Sequence, residues 1–594
     1  MPLSQKLVLR RCNFARISLP KETMKEKLVI AEVAMEIAYH SDLLNQIVKR
    51  YGANLARACA MSSSVGGIGP LLKERIIAQA ELGVEVIGIS LLYENVWIQG
   101  FQKWGQIYIE KKKVGSYLKE FLEKCDFKLN LEMPDSTQIE INVWKTPLGK
   151  GVVFYLEMPE IASVIYPGPE DAPPSEKNVG EWIENQKLKQ SWLIGRGALA
   201  LLKALNKKPS FIIQSETPTF FANHSLVMDP FQKDPFFQET KTIFNDHTPL
   251  EYAHPVWNEP QIVKARIDPL LAHDPQYWNK NSKTIDVTRL LIGVSAGVYG
   301  VSKKHAEVMK NMVSLKGFEN KINYITNGIR IKDWQDPDYA LAHVKSDDHL
   351  IALKEKKKQE LIDWAWKRYG LWYSWKKDVK DKCFVLWTRR ITSYKRFDVL
   401  DRLLKNPELK RRFLQTEIVV LVGGRIHQND NLSQHVIFNL LDLVTRDPEL
   451  KNRVVILDNY NIWEAPNLFH GVDATIMLAD DGREASATGF MKAQVNGAMV
   501  IASRDGAVPE SVYFSEKEGH LPNGFEVPYM NGEPQPQGLM DAFESLDKVY
   551  KNPKVRAGMI RASFDAHKQV SIERTAKEMI ELLVQVISDV QVEK

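Results

Sequence analysis

Cysteine is scarce: four in 594 residues, Cys12, Cys59, Cys125 and Cys383, with no Cys-x-x-Cys pair and no metal-type spacing. That excludes a disulfide scaffold and points to reduced thiols in a cytoplasmic protein. No run of eighteen apolar residues occurs either, which argues against a membrane-spanning helix. The N-terminal MPLSQKLVLRRCNFAR is basic but lacks an apolar segment ending in a small-residue cleavage site, so no secretion signal is expected. Neither charge sign dominates. The 79 basic and 74 acidic residues leave +5, too little over this length to argue for nucleic acid or a polybasic membrane surface. Internal repeats, low-complexity tracts and Pro/Gly/Ser-rich linkers are missing, so the domains are expected to be docked rather than strung out.

What is present suits a globular chain of two to four domains, with 44% apolar residues to fill their cores. After a basic, irregular arm over 1–27, an apolar run from Leu28 to Ala34 leads to Met35-Glu36, and a helical-looking stretch follows from Ser41 to Ala60. The glycine cluster SSSVGGIGP (62–70) precedes a helical pattern to Leu82 and an apolar strand at 84–93. Segments 139–146 and 152–158 alternate as antiparallel strands do. A helix is expected over 189–206, then two buried-type strands in PSFIIQSETPTF and KTIFNDHTPLEYAH. Over 347–369, Leu350, Leu353, Leu361, Trp364 and Ala365 share an apolar helical face, lysines crowd the other, and Gly370 is placed as the stop. Beyond it, apolar strands at 383–388, 417–424, 453–460, 474–479 and 498–503 alternate with helical patterns, the sign of a parallel, doubly wound sheet. A last helix from Ser571 buries Ile572, Ala576, Met579, Ile580, Leu583 and Ile587.

The chemistry gathers in a few places. From Glu484 the chain reads EASATGFMKAQVNG: a carboxylate, a small-residue turn through Ser486, Ala487, Thr488 and Gly489, then Lys492 in a short helix. Unpaired N–H groups at such a turn seat a phosphate. A lysine beside an anion site among apolar neighbours loses its proton readily enough to condense with an aldehyde. On spacing alone, a solvated surface lysine is the commoner case. The strand at 383–388 runs into RRITSYKRF, setting Arg389, Arg390, Lys395 and Arg396 at the binding edge of a parallel sheet. Planar Arg forks and a mobile Lys charge suit a phosphate, although an arbitrary charge run is more often solvated. Gly66, Gly67 and Gly69 permit close backbone approach to an anion, a weak signal by itself.

EASATGFMKAQVNG resembles the cofactor-lysine segment of the α-glucan (glycogen, starch, maltodextrin) phosphorylases, E-A-S-G-T-x-x-M-K-x-x-x-N-G, with Ala487 where the family has Gly. Other blocks resemble the family in the same order. They are the strand ending in Met35-Glu36, the block SVGGIGPLLKERIIAQAELGVEVIGISLLY, the paired strand ends carrying His247, and INYITNGIRIKDW with Asn327. R-x-x-x-Y-K-R follows at 390–396, with Thr392 in place of the animal-type histidine, and then DNYNIWEAPNLFHGVDATIMLA with Tyr460. The resemblance implies an α/β fold of two Rossmann-like, doubly wound domains facing a cleft, the GT-B plan of glycosyltransferases, in a short form of the family. The expected divisions are a first domain over 1–345, an interdomain helix over 346–375, a second domain over 376–565 and a helix over 566–594 crossing back to the first.

It also implies phosphorolysis: a terminal glucosyl unit of an α-1,4-glucan or maltodextrin passes to inorganic phosphate with retention, giving α-glucose 1-phosphate. Pyridoxal 5′-phosphate would be carried on Lys492, with Gly67, Arg389, Tyr460, Thr488 and Gly489 around it. Arg390 and Lys395 take the positions of the phosphate-binding pair, while His247, Asn327 and Glu484 would hold the sugar and Ser486, Gly66 and Gly69 would shape its floor. No metal is implied, and a homodimer is the family's habit. Two other readings stay open: a nucleotide-sugar glycosyltransferase of the glycogen or starch synthase type, and a phosphorylase-like glucan-binding protein without catalysis.

Overall fold

The computed structural model describes residues 28–592 apart from 102–106, 228–230, 252–253, 341–344, 372, 427–429 and 517–518. The basic arm expected over 1–27 lies outside the described residues.

Two sheets organise the chain. The first has nine strands in the order Ile322–Tyr324, Gly297–Gly300, Lys241–Asn245, Phe211–Ser215, Val29–Val33, Glu85–Leu91, Gly151–Glu157, Gln138–Leu148 and Glu123–Glu132. All neighbours from the first to Gly151–Glu157 are parallel, and the last two strands extend that edge antiparallel. The alternating segments 139–146 and 152–158 therefore close the edge of a Rossmann-like sheet. The central strand Val29–Val33 is buried throughout and reads as a continuous apolar run. Its one charge, Glu32, meets the equally buried Arg75 guanidinium at 2.6 Å, which also donates to Asn245 and the Tyr299 hydroxyl, so the burial cost is offset.

The second sheet has six strands, all parallel, in the order Val454–Leu457, Ile418–Gly423, Cys383–Thr388, Ala474–Met477, Met499–Ala502 and Gly524–Glu526. Each sheet carries apolar clusters on both faces, as a doubly wound arrangement requires.

Several helices depart from their expected form for local reasons. The stretch from Ser41 to Ala60 is two helices, Ser41–Tyr51 and Ala53–Ser62, parted at Gly52, whose φ of 86° breaks the helix. The helix expected over 189–206 begins ten residues earlier, as Val179–Ala204, capped by the Asn178 side chain on the Glu181 N–H. Its first turns are polar and mostly half-exposed, so no apolar period marks them. Helix Asp347–Tyr369 ends at Gly370 in the left-handed conformation, as its sequence suggests. Of its five lysines, however, only Lys356 and Lys367 are exposed. Lys354, Lys357 and Lys358 are buried. Lys354 Nζ donates to the carbonyls of Val472 and Asn496, Lys357 meets Asp336 and Asp338, and Lys358 meets Glu355 and the Tyr550 hydroxyl. The helix packs on Pro553–Asp565 and Ala465–Phe469.

The terminal helix Ile572–Val592 lies on helix Ile68–Glu81: Ile572 and Ala576 pack with Leu71 and Ala78, while Met579 and Leu583 enter the core of the first sheet. Ile580 is half-buried, and the surroundings of Ile587 lie outside the described residues. Among the described residues no helix is long and apolar enough to cross a membrane, and Cys59, Cys125 and Cys383 are free thiols.

The halves are joined by specific contacts. The hairpin of Asn95–Phe101 and Ile107–Lys113 reaches across, and the Gln99 amide pairs with both the N–H and the carbonyl of Ile426. Arg425 donates to the carbonyls of Met61 and Trp97, and Ser302 Oγ donates to the Ala485 carbonyl at 2.6 Å.

Candidate active site

In a parallel sheet the loops after the strands gather at one edge, and here two such edges face each other. Between them lies a cavity of about 240 Å³. From the first sheet it receives Glu36 after Val29–Val33, Glu216 after Phe211–Ser215, His247 after Lys241–Asn245, Val301 after Gly297–Gly300 and Asn327 after Ile322–Tyr324. From the second come Arg389 and Arg390 after Cys383–Thr388, Arg425 after Ile418–Gly423, Tyr460 after Val454–Leu457 and Glu484 after Ala474–Met477. Gly66, Gly67, Lys395, Ser486, Thr488, Gly489 and Lys492 are also in the lining.

The structure thus brings the sequence-derived candidates together, with two exceptions: Arg396 pairs with Asp398, Asp480 and Glu533 away from the cavity, and Gly69 also stands apart. Gly69 does not line the cavity. A Cβ there would stand 2.3 Å from the Ser63 carbonyl oxygen, so Gly69 serves close packing beneath the loop rather than a ligand. Gly66 and Gly67 do face the second half: a Cβ on Gly66 would lie 3.1 Å from the Arg390 guanidinium, and one on Gly67 3.9 Å from Thr488 Oγ1. The loop turns through Ala487 with φ 71° and ψ 59°, so alanine takes the left-handed conformation that favours glycine.

Lys492 is buried in helix Thr488–Gln494, its ammonium 4.0 Å from the centre of the Trp334 ring. Burial pulls its pKa down to about 8, against the opposing charge of Glu74. Burial and then Arg389 bring Lys395 to about 8 as well. Glu484 accepts from Arg389 and lies 3.2 Å from Lys395. Burial would raise its carboxyl, but these two cations outweigh burial and hold it below the usual carboxylate range. Burial, then Arg75 and His305, keep His247 neutral, with a pKa well below the ordinary imidazole value.

Four further groups at the cavity escaped the sequence reading. Glu36 accepts from the Val65 N–H at 2.6 Å and so pins the glycine loop, and burial lifts its pKa despite Arg390. Glu216 sits at φ 69° and ψ 155°, a region strained for any residue but glycine, and accepts from Thr248 Oγ1. Burial and the neighbouring Asp246 lift its carboxyl far above the usual range. Arg425 adds a half-buried guanidinium, its pKa brought down to about 10 by burial and by Arg390, and Asn461 lies beside Tyr460. A strand followed by a polar residue was the available signal, and such residues are too common to single out.

Residues 338–520 match the carbohydrate phosphorylase family. The chain is 25% identical over 512 residues to the maltodextrin phosphorylase of Thermococcus litoralis, covering 74% of this chain and 58% of that protein. It is 24% identical over 534 residues to the glycogen phosphorylase of Aquifex aeolicus, covering 78% of this chain and 74% of that protein. The chain is thus similar to α-glucan phosphorylases over about three quarters of its length. It spans under two thirds of the first of these proteins. The catalytic domain of starch synthase IV from Arabidopsis thaliana, solved with ADP and acarbose, superposes with a TM-score of 0.69 over 95% of the chain and all of that domain, at 16% identity. The chain therefore has the GT-B architecture of two Rossmann-like domains about a cleft, as the sequence resemblance implies.

Whether this site suits pyridoxal phosphate is testable on its own atoms. A buried amine with a lowered pKa lies in the same cavity as three cations from one strand end, Arg389, Arg390 and Lys395. Arg390 Nε, Ser486 Oγ and His247 Nε2 are buried with no hydrogen-bond partner in the chain, as expected of groups awaiting a polar ligand. An amine for an aldehyde and a cationic seat for its phosphate are both present, so the donor set fits.

Proposed function

We propose that this protein is a pyridoxal phosphate-dependent enzyme that transfers the terminal glucosyl unit of an α-1,4-glucan or maltodextrin to inorganic phosphate with retention, giving α-glucose 1-phosphate. One observation carries the reading: a buried, easily deprotonated lysine and a cluster of phosphate-suited cations lie across one cavity from strand ends bearing a neutral histidine and Asn327.

Lys492 would hold the cofactor, which supplies when bound a second phosphate beside the substrate phosphate. Thr488, Gly489, Gly67, Arg389 and Tyr460 surround the place it would take. Arg390 and Lys395 bind inorganic phosphate, for which Lys395 must release Glu484. The substrate phosphate gives its proton to the glycosidic oxygen as the C1–O bond breaks, and a phosphate oxygen then bonds C1 on the same face. The cations stabilise the charge that develops. Glu484, freed from Lys395, joins His247 and Asn327 in hydrogen-bonding the sugar. Because His247 stays neutral, it presents both a donor and an acceptor.

Borohydride reduction followed by peptide mapping tests the core of this. A pyridoxyl group on Lys492, with glucose 1-phosphate formed from maltodextrin and phosphate, is expected. Protein reconstituted with pyridoxal lacking the phosphate should turn over little until a small oxyanion is added. A nucleotide sugar as the required donor, or an adduct with no phosphorolysis of any glucan, overturns the reading in favour of a synthase-type transferase or a non-catalytic binder.

A further inference from the structure

Glu74 is a buried carboxylate on helix Ile68–Glu81, one side of which bounds the cavity through Ile68 and Leu71. Burial lifts its pKa above the ordinary carboxylate value, against the charges of Lys73 and Lys492, so its ionised form is costly unless it is held. It is held twice, by neutral donors from the segment leading out of the first sheet: Oε2 accepts from the Arg330 N–H at 2.5 Å, and Oε1 accepts from the Trp334 indole N–H at 2.8 Å. The face of that indole carries the Lys492 ammonium, 4.0 Å from the ring centre. Trp334 is fixed at its other end as well. Its carbonyl accepts from Asn496 Nδ2, which also donates to the Lys492 carbonyl, both at 2.8 Å.

We propose that Glu74 is a positioning residue for Lys492, acting through the Trp334 ring that it orients. The proposal takes Lys492 to be the cofactor amine and asks what prepares that amine. A carboxylate bonded to the indole N–H feeds electron density into the ring, which strengthens its hold on a cation. Glu74 also opposes the charge of Lys492 directly.

The other charges near Lys492 do not replace it. Lys73, on the same helix as Glu74, has the wrong sign and lies 3.7 Å from Asp333. Arg330 is taken up by Asp333 and Glu81. On the opposite wall, Arg389 and Lys395 share Glu484, and Arg390 adds only positive charge. Burial drives the Lys492 proton off, and Glu74 moderates that loss. The pair thereby keeps the amine in the folded interior with a fixed direction and a proton that leaves near neutrality.

The test is made on the full-length protein freed of bound aldehyde, by following acetylation of Lys492 with trace acetic anhydride across pH 6–10 and reading the site by mass spectrometry. Glu74→Gln should lower the apparent pKa of Lys492 by about one unit, raising labelling at pH 7 about fivefold. Trp334→Phe, which keeps a ring but loses the N–H donor, should move it in the same direction, with the double variant less than additive. Glu74→Asp covers the case of a Gln variant that fails to fold. Unchanged labelling in folded Gln and Phe variants overturns the proposal and leaves Glu74 as a pin between segments. Failure to find a pyridoxyl adduct in the wild type removes the cofactor reading alone, because acetylation reports the amine without it.

Discussion

Ala487 occupies a left-handed turn where the phosphorylase pattern has glycine. The conformation costs an L-residue roughly 1–2 kcal/mol, whereas glycine adds about 0.4–1 kcal/mol of unfolded-state entropy. The first effect wins, so Ala487→Gly should stabilise the protein by about 0.5–1 kcal/mol in urea unfolding; a lower midpoint would refute the strain. Gly69 gives the opposite case. Its added Cβ would collide with backbone at Ser63, so Gly69→Ala should destabilise by about 1–3 kcal/mol. Because it lies off the cavity, phosphate affinity measured by calorimetry on the folded variant should stay within about twofold of wild type. A selective loss of affinity would return Gly69 to the substrate floor.

Helix Asp347–Tyr369 shows how an element can carry a charge into a core. Lys354 is buried against the backbone carbonyls of Val472 and Asn496, and burial brings its pKa to about 8. Asn496 belongs to the turn that follows the Lys492 helix, so this contact fixes the rear of the candidate site. Lys354→Met keeps the apolar stem but leaves two carbonyls unpaired, which should destabilise by about 1–3 kcal/mol. Thermal unfolding of folded, cofactor-free protein measures it, and an unchanged midpoint would show that water replaces the ammonium.

Across the whole molecule, the halves meet through a small number of two-ended contacts. Gln99→Ala would strand both the N–H and the carbonyl of Ile426 at the junction. A loss of about 1–3 kcal/mol is expected, together with weaker phosphate binding because the facing edges are no longer held in register; a stability loss without an affinity change would separate the junction from the site. Buried acids set the pH response. Burial lifts Glu216, Asp246 and Asp505 above the carboxylate range, Asp505 to about 7. The folded state then holds protons that the unfolded state has released. Their contribution to stability is therefore complete below about pH 4 and is lost as pH rises towards 7. Asp505→Asn should flatten the decline in unfolding free energy between pH 5 and 7, and an unaltered slope would show that Asp505 is ionised in the fold.

Local pattern determined much of this protein by itself. Apolar runs of six to ten residues marked most of the parallel strands because both faces of each are covered, and Gly370 marked a helix end because it closes it in the left-handed conformation. The grouping of Arg389, Arg390 and Lys395, and of Glu484 to Lys492, at one cavity was legible because the residues of each group lie a few positions apart. Tertiary structure alone decided the rest. Glu36, Glu216 and Arg425 reach one cavity from strands separated by up to several hundred residues, and nothing beside them in sequence records that meeting. Lys354, Lys357 and Lys358 look solvated in a helical period, yet other elements cover them and supply carbonyls and carboxylates. Periodicity reports which residues share a face. Whether that face meets water, and which charge meets which, depends on segments that only the folded chain brings into contact.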